Sequence, residues 1–86
     1  MTNLERQIKQ LILRMLLAAD PEAMTDDSLR EGITTVYSHI AFVDDDLTRL
    51  IEELKKSGII AGTNDTVFGL MWNLTVAGKN AASQLK

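Results

Sequence analysis

The sequence predicts one α+β domain over residues 1–86 that is mainly helical, with three helices, a two-stranded antiparallel hairpin and a short closing helix. Two observations lead to this fold class. Apolar residues recur at helical spacing in three segments before Gly58, and the pattern beyond that glycine changes to the alternation typical of strands. A chain of this length can bury one modest core, which excludes a second domain.

The first helix is predicted from a capping box and an apolar stripe. The opening TNLE has the capping-box pattern, in which the Thr2 hydroxyl is expected to accept from a first-turn amide and Glu5 to reach back to the Thr2 amide. The helix should end near Ala19, because the residue before Pro21 is disfavoured in helical geometry. The stripe consists of Leu4, Ile8, Leu11, Ile12, Met15 and Leu16, widened by Leu13 and Leu17.

The second helix is predicted to begin after Thr25, an N-cap residue followed by Asp26 and Asp27, whose charges suit the positive end of a helix. It should end around Ser38. Gly32 costs stability inside a helix, which indicates a close contact with another helix. The predicted inner face consists of Leu29, Ile33, Val36 and Tyr37.

The third helix is predicted to be capped within Asp44 to Asp46 and to end at Gly58, a residue suited to left-handed geometry. Lys55 and Lys56 lie where cations favour the helix dipole. The buried stripe is predicted to be Leu47, Leu50, Ile51 and Leu54. The outward residues are then Asp45, Thr48, Arg49, Glu52 and Lys56.

A hairpin and a closing helix are predicted for the rest of the chain. The segments IIAG and VFGLMWNLT have strand character, and the polar TNDT between them is the expected turn. Alternation places Phe68, Leu70, Trp72 and Leu74 toward the core. Thr75 is the expected cap of the closing helix, whose apolar residues are Val76, Ala77, Ala81, Ala82 and Leu85.

Three helices followed by a hairpin is the element order of a winged helix-turn-helix domain. LKKSGII is similar to the step from third helix to wing in such domains, and WNLTVAGKNAA resembles the W-x-L-T-x-x-G ending of MarR-, PadR- and ArsR-like regulators. The whole arrangement most closely resembles small stand-alone winged-helix proteins of Mu-like phages and prophages. The resemblance implies that Trp72 and Leu74 pack the wing strand on the core and that Thr75 caps the last helix. It also implies a DNA-binding transcriptional regulator.

The charge distribution argues against DNA as the partner. Residues 20–54, which include the predicted DNA-reading unit, carry ten acidic and two basic residues, a net charge of −8. The net charge is +2 over residues 1–19 and +3 over residues 55–86, and no Lys or Arg occurs from Ser57 to Gly78. Duplex DNA is normally held by basic residues that neutralise its phosphates, and here they are scarce where the fold would need them.

Two hypotheses for function follow. In the first, the protein is a DNA-binding regulator. In the second, it is a protein-interaction module whose acidic third-helix face binds a basic protein. The candidate DNA- or partner-binding residues are Asp45, Thr48, Arg49, Glu52, Lys55, Lys56 and Asn64.

No catalytic or metal-binding arrangement is predicted, so we expect neither an enzyme nor a cofactor. The chain has no cysteine, and its one histidine, His39, has no evident nucleophile or co-ligand. Glu52 and Glu53 are neighbours on a helix and point about 100° apart, which favours solvated side chains over an acid–base pair.

The remaining predictions concern location and assembly. The apolar run from Leu11 to Ala19 is interrupted by Arg14 and is too short for a membrane span, so we expect no membrane association and a cytoplasmic protein. The wide apolar arc of the first helix and the alanine-rich closing helix suggest a homodimer through the terminal helices. Packing of these two helices on each other within one chain is an equal alternative.

Overall fold

The structure is a computed structural model that describes residues 3–38 and 44–85, apart from the side chains of residues 44 and 45. These residues form an α+β fold of four helices and one three-stranded antiparallel sheet. In chain order the elements are α1 (Asn3–Ala19), β1 (Met24–Thr25), α2 (Asp26–Val36), α3 (Asp44–Lys56), β2 (Ile60–Asp65), β3 (Gly69–Leu74) and α4 (Val76–Ser83).

The helix boundaries follow the local signals in the sequence. Thr25 caps α2, since its hydroxyl accepts from the Ser28 amide at 3.1 Å. Thr75 caps α4 in the same way, through the Gly78 amide at 3.0 Å. Gly58 follows α3 with φ 77°, as predicted for a left-handed residue. The predicted cap of α1 by Thr2 and the capping of α3 lie outside the described residues.

The sheet has three strands, so the prediction of a two-stranded hairpin was incomplete. The additional strand, β1, pairs with β3 through Met24 opposite Trp72 and Thr25 opposite Met71, which gives the strand order β1-β3-β2. A two-residue strand is too short to produce a visible alternation of apolar and polar residues.

The hairpin turn lies later in the chain than predicted. Asn64 and Asp65 belong to β2, and the turn itself is formed by residues 66–68. The Asp65 carboxylate accepts from the amides of Val67 at 2.7 Å and Phe68 at 2.9 Å, and Gly69 has φ 78°. A turn of three residues closed by a left-handed glycine is a common hairpin connection. The aspartate and the glycine therefore set the position of the turn.

The prediction that Phe68 and Leu70 face the core was wrong. Phe68 lies in the turn and is 66% exposed, while Leu70 is 38% exposed. Trp72 and Leu74 are buried as predicted. The alternation continues to the tip of the hairpin, but the hairpin extends past the body of the protein, so only its lower half has a core to face.

The core lies between the helices and the lower half of the hairpin. Its buried residues are Ile8, Ile12, Leu13, Leu16, Leu29, Ile33, Leu47, Leu50, Ile51, Leu54, Ile60, Trp72, Leu74 and Ala82. The whole predicted stripe of α3 is among them. Val36 was wrongly placed inside, because it ends α2 and is 53% exposed. Val76 and Ala77, which are apolar residues in the first turn of α4, are exposed.

Packing of α1 on α4 within the chain places the two terminal helices side by side. Lys79 of α4 forms an ion pair of 3.2 Å with Asp20, just after α1. The close helix contact predicted at Gly32 is present, since a Cβ there would meet the terminal methyl of Met15 on α1. The homodimer through the terminal helices stays a prediction.

Candidate partner-binding surface

The outer face of α3 presents most of the predicted binding residues to solvent. Thr48, Glu52, Lys55 and Lys56 are all exposed, and the neighbouring Asp46 is exposed too. Burial of the leucine and isoleucine stripe on the opposite side of the helix fixes this orientation. The side chain of the remaining α3 candidate, Asp45, lies outside the described residues.

Arg49 is held by two carboxylates, which the sequence did not predict. Its guanidinium donates to Glu53 on the next turn of α3 at 2.7 Å and forms a second ion pair with Glu5 of α1. Glu53 also accepts from Lys9 of α1 at 2.8 Å, so it is paired rather than simply solvated. We call Glu5, Lys9, Arg49 and Glu53 the α1–α3 ion cluster. It contains two positive and two negative side chains and carries no net charge.

The ion cluster shifts the pKa values of Arg49 and Glu53 in the direction that keeps both groups charged. The hydrogen bond to Glu5, followed by that to Glu53, raises the pKa of the Arg49 guanidinium. The hydrogen bond from Lys9, followed by that from Arg49, lowers the pKa of the Glu53 carboxyl below its usual range. Arg49 is thus a partner of acidic groups in the folded chain even though 49% of its side chain is exposed.

Asn64 lies in β2 opposite Leu70 and is exposed, but it is not at the tip of the hairpin. The tip presents Val67, 79% exposed, and Phe68 instead. The amides of Phe68 and then Val67 lower the pKa of the Asp65 carboxyl, so the group that holds the turn is an anion at neutral pH. The hairpin therefore presents neutral and apolar side chains around one carboxylate.

Another contact joins the sheet to α2. The buried indole of Trp72 donates to one oxygen of Asp26 at 2.8 Å, and Arg30 donates to the other oxygen at 2.8 Å. The pair of Asp26 and Arg30 is visible in the sequence as a spacing of four residues. The bond to Trp72 joins residues 46 apart in the chain, for which a single sequence carries no signal.

No group of metal ligands lies among the described side chains. Within 3–38 and 46–85, no three His, Asp or Glu side chains come together as metal ligands would. His39 lies outside these ranges. None of the described helices has both the length and the apolar composition needed to cross a membrane.

Compared with protein-family models, with curated proteins and with solved structures, the chain matches none of them.

Proposed function

We propose that this protein is a winged helix-turn-helix binding module whose outer α3 face binds a basic protein segment rather than duplex DNA. The observation that carries the proposal is the α1–α3 ion cluster. It occupies Arg49, which is the one basic residue of α3 before its last turn.

The element order supports the winged-helix part of the proposal. A helix, a short strand, two helices and a hairpin follow one another, and the short strand joins the hairpin in a sheet of order β1-β3-β2. In a domain of this kind α3 is the helix presented to a partner, and β2 with β3 is the wing. The buried Trp72 and Leu74 and the Thr75 cap agree with the roles that the sequence resemblance implies for them.

Charge supports the choice of a basic partner. A phosphate that approaches α3 must compete with Glu5 and Glu53 for Arg49, and it also meets the exposed carboxylates of Asp46 and Glu52. Phosphate contacts made by basic side chains supply most of the non-specific affinity for DNA. A Lys- or Arg-rich protein segment is attracted by the same carboxylates that repel a phosphate.

DNA binding is the second candidate because Lys55 and Lys56 are exposed at the end of α3. Two lysines are few beside the carboxylates on the same helix. Substitution of Glu52 distinguishes the two candidate functions, because it should affect the binding of a basic protein and of DNA in opposite directions. Changing it to lysine removes an attraction for a basic partner, whereas the same change adds a phosphate contact and reduces repulsion of DNA.

The experiment measures binding of a fluorescent oligolysine peptide by anisotropy at low salt. Glu52→Lys is expected to weaken binding about tenfold. Glu31→Lys is the matched control, since Glu31 is also an exposed helical glutamate and the change in net charge is the same. Affinity that falls equally in both variants would indicate a response to net charge alone, and the α3 face would not be the binding surface.

A further inference from the structure

We propose that two copies of this chain pair through the outer edge of β2, which joins their sheets into one six-stranded antiparallel sheet. The strand order β1-β3-β2 leaves one side of β2 without a neighbouring strand in the part of the chain that the structure describes. Alternate residues of an antiparallel strand direct their N–H and C=O groups to the same side. Half of the residues in Ile60–Asp65 therefore direct these groups away from β3.

The edge of β2 lacks most of the features that usually keep an edge strand from pairing. Such strands carry charged residues, above all lysine, a proline or a bulge, or are very short. The only charged residue of β2 is Asp65, at the end next to the turn. β2 has six residues, contains no lysine or proline, and pairs with β3 without a bulge from Ile60 opposite Leu74 to Asp65 opposite Gly69. Gly62, Thr63 and Asn64 are exposed. Among residues 3–38 and 44–85, no strand covers this edge of β2.

The chemistry of the edge points to a second copy as its occupant. From Ala61 to Asn64 the strand is neutral, so a basic segment would find no carboxylate along it before Asp65. The carboxylates of α3 do not lie along this edge and would not attract a basic segment to it. A neutral strand with the same alternation is a better match. The segment from Ala61 to Asn64 is itself such a stretch, and each copy supplies one.

A two-fold register centred on Thr63 satisfies the rules for cross-strand neighbours. Thr63 then faces its own counterpart, Asn64 faces Gly62, and Asp65 faces Ala61 of the second copy. Threonine pairs are favourable and like charges opposite one another are not, and this register contains no pair of like charges. Opposite residues share one face of a sheet, so the core sides of the two sheets stay on the same side.

The same register extends the turn of each hairpin toward the end of α3 in the other copy. Asp65 approaches the chain segment that follows Lys55 and Lys56, which carry the opposite charge. Val67, which is 79% exposed in one chain, lies beyond it, and the register places it opposite Ile59 of the second copy. The dimer therefore combines backbone pairing with an apolar and a charged contact at each end. It does not use Glu52 at the centre of the outer α3 face.

The test is sedimentation equilibrium of the full chain up to about 1 mM. The wild type is expected to shift from 9.5 kDa toward twice that mass as the concentration rises. Thr63→Lys places two like charges opposite each other and is expected to raise the dissociation constant about tenfold or more. Thr34→Lys, the same change at an exposed position of α2, is expected to match the wild type. Circular dichroism verifies that both variants are folded.

A cysteine cross-link identifies the surface. The chain has no cysteine, so Thr63→Cys introduces the only thiol, and its oxidation is expected to give a disulfide dimer much faster than oxidation of Thr34→Cys. A wild type that stays at 9.5 kDa would overturn the proposal. So would a dimer that Thr63→Lys leaves unchanged, which would place the interface elsewhere, such as on α1 and α4. Neither result bears on the peptide binding of α3.

Discussion

Alanine in place of Gly78 is predicted to destabilise the protein, although helix propensity alone predicts the opposite. Gly78 lies in the first turn of α4, where alanine would be favoured over glycine by about 0.5–1 kcal/mol. A Cβ at this position would lie 2.0 Å from the carbonyl oxygen of Ile59. Ordinary carbon–oxygen contacts are about 3.3 Å or longer. The Ile59 oxygen is a backbone atom and cannot rotate aside as a side chain can, so α4 must move away by about 1 Å to relieve an overlap of this size.

The cost of that movement follows from what holds α4 in place. The Ile59 carbonyl accepts from the Thr75 amide at 3.1 Å, and the Thr75 hydroxyl donates its one proton to the Gly58 carbonyl at 2.6 Å. Loss of both bonds costs about 2 kcal/mol. Looser packing of the buried Ala82 adds about 1 kcal/mol. After the gain in propensity, the net loss is about 2 kcal/mol. For a domain of this size the Tm should fall by about 8–16 °C.

Thermal and urea unfolding followed by circular dichroism measure this effect. Gly32→Ala in α2 is the matched control. A Cβ there would lie 2.3 Å from the terminal methyl of Met15, which is the flexible end of a side chain and can move aside. Its stability should stay within about 1 kcal/mol of the wild type. A Gly78→Ala variant as stable as the wild type would refute the packing of α4 against Ile59.

Three further predictions concern other contacts. Trp72→Phe removes the hydrogen bond to Asp26 and should lower the free energy of unfolding, measured in urea, by about 2 kcal/mol. A decrease below about 0.5 kcal/mol would show that this bond does not stabilise the fold. Phe68→Ser should change the free energy of unfolding by less than about 0.5 kcal/mol, whereas Leu74→Ala should lower it by about 2–5 kcal/mol. Equal losses in the two variants would show that Phe68 is buried in the core. The pKa of Glu53 is lowered by folding, so its contribution to stability is complete above the usual glutamate range and is lost as the pH falls through the lowered pKa. Acid should therefore reduce the stability of the wild type more steeply than that of Glu53→Gln, and parallel pH profiles would count against this pairing.

Much of the fold could be predicted because its signals are local. The caps at Thr25 and Thr75 and the left-handed Gly58 each depend on a few neighbouring residues. The buried stripe of α3 follows from helical periodicity alone. The order of helices and strands was correct for this reason, while the two-residue β1 was too short to leave a periodic signal.

The errors arose where the position of the core mattered. Alternation through β3 predicted that Phe68 and Leu70 were buried like Trp72. Periodicity shows which face of a strand a side chain lies on, but not how far along the strand the core extends.

Gly78 belongs to the W-x-L-T-x-x-G pattern, but the reason for a glycine there is not local. The Ile59 carbonyl, which leaves no room for a Cβ, is 19 residues away in the chain.

The sequence predicted which residues of the candidate site are exposed, but it did not predict the ion pairs that they form. Outward placement of Thr48, Glu52, Lys55 and Lys56 follows from the period of α3. The pairing of Arg49 with Glu53 is a four-residue spacing that the sequence contains. Its pairing with Glu5 depends on how α1 packs against α3, and that contact turns an apparent DNA-binding residue into part of a neutral cluster.

The most direct test of the central claim is an anisotropy titration of a labelled duplex DNA at low salt with the wild type and Glu52→Lys. We predict no saturable binding by the wild type up to about 100 μM, the range of weak non-specific DNA binding. Saturable wild-type binding that weakens with salt and is strengthened in Glu52→Lys would contradict the account, because α3 would then be a DNA-binding helix in spite of its carboxylates.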